Sequence, residues 1–211
     1  MRNTLTNNLY KNDIPNNLDL GKIIAVDCET MGLNITRDRL CLVQLSAGDG
    51  NTHLVQIEIG QKSAPNLCKM LVDPNKLKLF HFGRFDIAIL LKTFGVLTSP
   101  VYCTKIASKL VRTYTDRHGL KILLEELLKI DISKQQQSSY WGATELSRSQ
   151  KDYAASDVLH LHKLKNILDD MLKRESRVEL SKECFKFLPF RAKLDLEGWP
   201  DMDLFLSLIH I

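Results

Sequence analysis

The stretch Ile23-Ile24-Ala25-Val26-Asp27-Cys28-Glu29 restricts the fold more than any other part of the chain. Four apolar residues without polar alternation describe a strand buried on both faces, at the centre of a sheet. The run ends in two carboxylates one residue apart. Side chains at i and i+2 of a strand share a face, so Asp27 and Glu29 aim at one spot. Charge at the end of a buried strand is costly unless it is paired or meets a cation. Taken alone, these two acids are explained equally well by a turn at a strand end.

The rest of the chain supplies neighbours for that strand. LCLVQL (40–45) and HLVQI (53–57) are strands, and the turn-forming SAGDGN between them makes a hairpin. Residues 62–72 form a short helix stopped by Asp73-Pro74. LKLFHF (77–82) is another strand, followed by a helix from about Phe85 to Phe94 with Gly95 as its C-cap. A brief strand, VYC, precedes a helix over 104–112, where Ile106, Ala107, Leu110 and Val111 form the apolar stripe. A leucine-rich helix spans 119–130, and 131–146 is a polar loop. One long helix is predicted over 148–173, with Ser147 as N-cap and Gln150 as its capping-box partner. Beyond 176 lie a further helix and the irregular FLPFRAKLDLEGWPDMDLF. Three antiparallel strands, then strands alternating with helices, give an α/β fold with a mixed sheet flanked by helices.

The length of 211 residues suits one domain with an appendage. The expected division is a domain over 1–175 and a C-terminal helical extension over 176–211. That extension packs on the domain or forms an interface through Phe185, Phe187, Leu188, Phe190 and Trp199. A net charge of +4 is compatible with a polyanionic partner. The five cysteines include no CxxC pair, which disfavours a zinc knuckle or a disulfide framework and favours reduced thiols in a cytoplasm. No apolar run approaches the roughly 18 residues that span a bilayer, and the Asn-rich N-terminus has no apolar signal core.

Further acids stand at notable positions. Asp86 sits in the first turn of a helix just past LKLFHF. Asp157 lies on a helix, with Tyr153 four residues earlier on the same face. Each alone has an ordinary explanation: a favourable acid in a first turn, a solvated helix face, a half-buried aromatic. As an ordered set, VDCET, FHFGRFD and YAASD resemble the motifs of the DEDD-type 3′–5′ exonucleases, in the branch whose third motif is Tyr-x-x-x-Asp. DRLCLVQLSAGD and KQQQSSYWGATELSRSQKDYAASDVLHLHKL resemble the wider context of ribonuclease D. The resemblance covers about residues 20–175.

It implies a ribonuclease H-like sheet and two divalent ions, Mg²⁺ or Mn²⁺. Asp27, Glu29 and Asp157 would bind the first ion, which activates water. Asp27 would also reach the second, and Asp86 would support that one through water. Tyr153 would orient the attacking water and help take its proton. The products would be nucleoside 5′-monophosphates released from a 3′ end, with tRNA or other structured RNA as the family-level substrate. Two departures stand out. Cys28 replaces the commoner Thr or Ser and is expected to point away from the metals. FHFGRFD lacks the Asn of proofreading exonucleases, and His81 matches the ribonuclease D style, which favours RNA.

Substrate contacts are expected from His81, from Arg117 and His118, before a helix, and from Lys134 beside the glutamines. Met31 or Leu33 would wedge against the terminal base, unless they pack in the core. Lys105, Lys109 and Arg112 could track phosphates, although a solvated face explains Lys105 and Lys109 better. Trp141 would stack a base or anchor its loop. Phe82 and Phe85 are assigned to the core. The partner is an RNA 3′ end or single-stranded DNA, and the protein is a monomer or a homodimer. A HAD-type phosphatase would need Asp-x-Asp and has no use for YAASD. A non-catalytic nucleic-acid-binding domain is disfavoured by the intact acids and Tyr153. A DNA 3′–5′ exonuclease with the same metals is the serious alternative.

Overall fold

In the computed structural model, which describes residues 6–133, 135–200 and 204, the Ile23–Thr30 strand lies inside a six-stranded sheet. The strands are β1 (Thr6–Lys11), β2 (Ile23–Thr30), β3 (Leu40–Ser46), β4 (Asn51–Gln56), β5 (Leu77–Phe80) and β6 (Val101–Cys103), in the order β1-β4-β3-β2-β5-β6. β2, β3 and β4 are antiparallel neighbours, as the sequence predicts. β5 and β6 continue the sheet in parallel from β2. Every residue of β3 is buried, and Ile24, Ala25 and Val26 of β2 are fully so, which makes them central strands covered on both faces. This is the mixed sheet of the ribonuclease H-like fold.

Seven helices among the described residues cover it: α1 (Pro65–Val72), α2 (Arg84–Phe94), α3 (Thr104–Val111), α4 (Leu120–Leu123), α5 (Arg148–Leu159), α6 (Leu161–Arg174) and α7 (Val178–Leu196). α4 runs on into a π-helical turn over Leu124–Leu128. α5 packs across β2, β3 and β4, and α7 lies along α2.

Three elements differ from the sequence reading. β1 is an additional strand, parallel to β4, made from the polar TNNLYK. Its polar side chains serve an edge: Thr52 donates to Asn7 Oδ1 at 2.7 Å, and the Tyr10 ring stacks on His53. The long helix is two, broken at His160. Beside the break the His162 imidazole reaches back to the Ile23 carbonyl at 3.0 Å. A Cβ on Gly48 would stand 2.6 Å from that ring, so only glycine fits there. The apolar stripe runs through the break, which is why pattern alone shows one helix. The irregular-looking tail contributes a 19-residue helix, α7, that contains Pro189. Phe185 and Leu188 are buried there, while Phe187, Phe190 and Trp199 face outward.

Candidate active site

Three elements bring the acids together. Asp27 and Glu29 stand at the C-terminal end of β2, and Asp86 is in the first turn of α2, just past β5. Tyr153 and Asp157 are on α5, whose N-terminus is closed by the expected capping box between Ser147 and Gln150. Carboxylate oxygens of Asp27, Glu29 and Asp157 lie within 4.8 Å of one another. Asp86 is close by but apart from that trio, and it shares with them and Tyr153 a cleft of about 500 Å³.

The cluster carries an electrostatic load. Burial, then Asp86, Asp157 and Glu29, push the Asp27 carboxyl well above its usual range. Burial, Asp157 and Asp86 raise Glu29 from 4.5 to about 9. Asp86 is raised to about 7, chiefly by burial, even though its own amide and the Cys28 amide and thiol donate to it. Carboxylates this close cannot all ionise without a compensating positive charge. All the donors are oxygen, the set that suits hard cations such as Mg²⁺ and Mn²⁺. The Tyr153 phenol is held firmly protonated by burial and the neighbouring acids, and it is hydrogen-bonded to Asp157.

Cys28, between the two acids of β2, is buried and its thiol meets Asp86. The β2–β3 pairing is regular from Asp27 to Glu29 and shifts only before Thr30, so the contact comes from Asp86 on α2 and not from a break in strand alternation. Gln44, fully buried opposite Asp27, donates to its Oδ2 at 3.3 Å and was missed in the sequence. The available signal was a lone polar residue inside LCLVQL.

The expected substrate contacts divide. Leu33, 88% exposed, lines the cleft, and so does His81, whose Nδ1 lies 2.9 Å from Thr104 Oγ1. Met31 does not line it. It packs toward Gly142, where an added Cβ would meet its sulfur at 2.5 Å. His118 is buried, 2.8 Å from Ser108 Oγ, and Arg117 faces Glu126; neither lines the cleft. In the loop that holds them, the His118 ring turns inward to α3 and the Arg117 carbonyl accepts from Arg112. Lys134 lies outside the described residues. Arg112 is 1% exposed and bound to Glu126 and the Arg117 carbonyl, so it is a structural cation and tracks no phosphate. Trp141 anchors its loop: it is buried, with its ring centroid 6.0 Å from that of Tyr153. Phe82 and Phe85, assigned to the core, line the cleft instead, as do Lys105, Lys121 and Gln137.

Known proteins share this architecture. Brucella melitensis NrnC, solved with bound Mg²⁺, is 54% identical, with a TM-score of 0.93 over 97% of this chain and 100% of that one. NrnC bound to pGG is 55% identical, with a TM-score of 0.94 and the same coverage. Ribonuclease D of Granulibacter bethesdensis is 34% identical over 155 residues, which is 74% of this chain but only 39% of that protein. Escherichia coli RNase D, 24% identical with a TM-score of 0.72 over 85% of this chain and 48% of that one, shares the fold. No described helix is long and apolar enough to cross a membrane. The model of a family described as 3′–5′ exonuclease matches residues 4–173, a span that takes in every acid of the cluster, and the chain therefore belongs to the 3′–5′ exonuclease family as a ribonuclease D-like member.

Proposed function

We propose that this protein is an exoribonuclease that hydrolyses the last phosphodiester at an RNA 3′ end and releases nucleoside 5′-monophosphates with the help of two divalent cations, Mg²⁺ or Mn²⁺. The observation that carries the reading is the meeting of Asp27, Glu29 and Asp157 within 4.8 Å, in one cleft with Asp86 and Tyr153. When bound, the cations supply positive charge to the attacking and leaving oxygens of an in-line displacement. Asp27, Glu29 and Asp157 would hold the first, Asp27 would also reach the second, and Asp86 would support that one. Gln44 fixes the Asp27 carboxylate from behind. Tyr153, hydrogen-bonded to Asp157, positions the attacking water and helps take its proton.

Two likenesses favour RNA over DNA: the ribonuclease D relatives, and NrnC, which was solved bound to pGG. The cleft volume falls in the range of small-ligand sites, ~300–1,000 Å³, which suits the frayed end of a strand. Trimming of tRNA or other structured RNA 3′ ends in the cytoplasm is the proposed use.

The test uses 5′-labelled single-stranded RNA, the matching DNA, a tRNA with a 3′ extension and pGG, each with Mg²⁺, Mn²⁺ or EDTA. A ladder shortening from the 3′ end of RNA, lost in Asp157→Ala and in EDTA, is the expected result. Shortening of DNA alone would keep the site and move the substrate. Full activity after exhaustive chelation would end the metal mechanism. An untouched tRNA extension beside digested pGG would remove structured RNA from the proposal.

A further inference from the structure

Phe82 is in the wrong place for a core residue. It follows β5 in HFGRFD, lines the cleft of the acids and is 50% exposed. Its φ is +65°, a left-handed conformation that bulky residues rarely adopt. Neighbouring packing fixes that turn: Gly83 is buried so tightly that an added Cβ would stand 2.6 Å from the Phe80 side chain. His81, on the other side, is held by Thr104. A strained backbone that exposes an aromatic ring at a candidate active site gains nothing in core burial. The Lys105 ammonium stands 4.0 Å from the centre of the ring and makes no ion pair among the described residues. The first turn of α3 thus holds a cation, and the end of β5 a π-face, at one wall of the cleft.

We propose that Phe82 and Lys105 form a nucleotide subsite, in which a base near the 3′ end stacks on the Phe82 ring and Lys105 pairs with an adjoining phosphate. The inference rests on the exonuclease reading of the same cleft. Aromatic stacking tolerates every base, since each has a π-face, and a lysine beside it adds phosphate affinity without reading sequence. The subsite therefore grips the strand end and leaves base identity unread.

Steady-state kinetics on a pentanucleotide RNA with Mg²⁺ test it, using Phe82→Leu, Phe82→Tyr, Lys105→Gln and Lys105→Arg. Phe82→Leu keeps an apolar side chain but loses the π-face; KM is expected to rise ~10-fold with kcat changed less than about 2-fold. Phe82→Tyr and Lys105→Arg are expected to stay near wild type. Lys105→Gln is expected to raise KM and to flatten its salt dependence by about one phosphate contact. On RNA with an abasic residue at the stacked position, Phe82→Leu and wild type are expected to coincide, and the position at which they do locates the base. A wild-type KM in Phe82→Leu, or an equal loss in Phe82→Tyr, would overturn the subsite while wild-type digestion still upheld the proposed function. If wild type digests neither RNA nor DNA, the proposed function fails and the subsite fails with it.

Discussion

Glu29 shows what the acid cluster costs the protein before any cation arrives. Its carboxyl is raised from 4.5 to about 9, first by burial and then by Asp157 and Asp86. The folded state therefore keeps a proton that the unfolded chain has already released. By linkage, stability falls as pH rises through the window from about 4.5 to about 9. In EDTA, Glu29→Gln is expected to melt several degrees above wild type at pH 8 and to differ little at pH 4; scanning fluorimetry at both pH values checks this. Added Mg²⁺ should close the gap at pH 8 by stabilising wild type. Asp27→Ala is expected to lower hydrolysis by at least ~10³-fold, as for other reacting-centre groups, with an unchanged circular dichroism spectrum. At this scale the sequence was most informative about the acids and Tyr153, whose types and order are the signal. It assigned Phe82 to the core, because the left-handed φ that turns the ring outward leaves no trace in a phenylalanine's residue type. It did not show the contact of Cys28 with Asp86, because β2 and α2 bring those residues together only in the folded protein.

Helix α5 matters more to the site than its length suggests, for it carries both Tyr153 and Asp157 against the sheet. Ser147 caps it, accepting from the Gln150 amide while the Gln150 side chain accepts from the Ser147 amide. Gln150 also donates to the Tyr140 carbonyl at 3.2 Å, tying the helix start to the Trp141 loop. Ser147→Ala is expected to cost about 1 kcal/mol in urea unfolding, and Ser147→Asp, itself a good cap, almost nothing. The cap was readable in advance because capping is local in sequence. The break at His160 was not, because His162, Gly48 and Ile23 meet only in the folded protein. β1 escaped for a related reason: an edge strand needs no apolar face, and six polar-rich residues give no period to detect.

Across the whole molecule, α7 is riveted to the catalytic half through one carboxylate. Asp195 accepts from Arg84 Nε and Nη2 at 2.6 Å each and from Arg191 at 3.0 Å, with its own side chain 2% exposed. Arg84 opens α2, two residues before Asp86. Asp195→Ala would leave two guanidinium groups facing each other without their anion. The expected loss is about 2–3 kcal/mol by urea unfolding, below the ~3–5 of a fully buried pair because Arg84 keeps some water. The Mg²⁺ concentration for half-maximal activity is expected to rise in the same variant, since α2 loses an anchor beside Asp86. The sheet's outer strands have a further consequence. β6 is three residues long and lies under α7; β1 is short and presents Asn7, Asn8 and Lys11 along its length. Neither margin offers the long, flat, greasy template on which sheets of separate molecules zip together. A chain with a fully buried β3, and with Ile24–Val26 of β2 buried beside it, is thereby spared edge-to-edge aggregation at the concentrations a working catalyst needs.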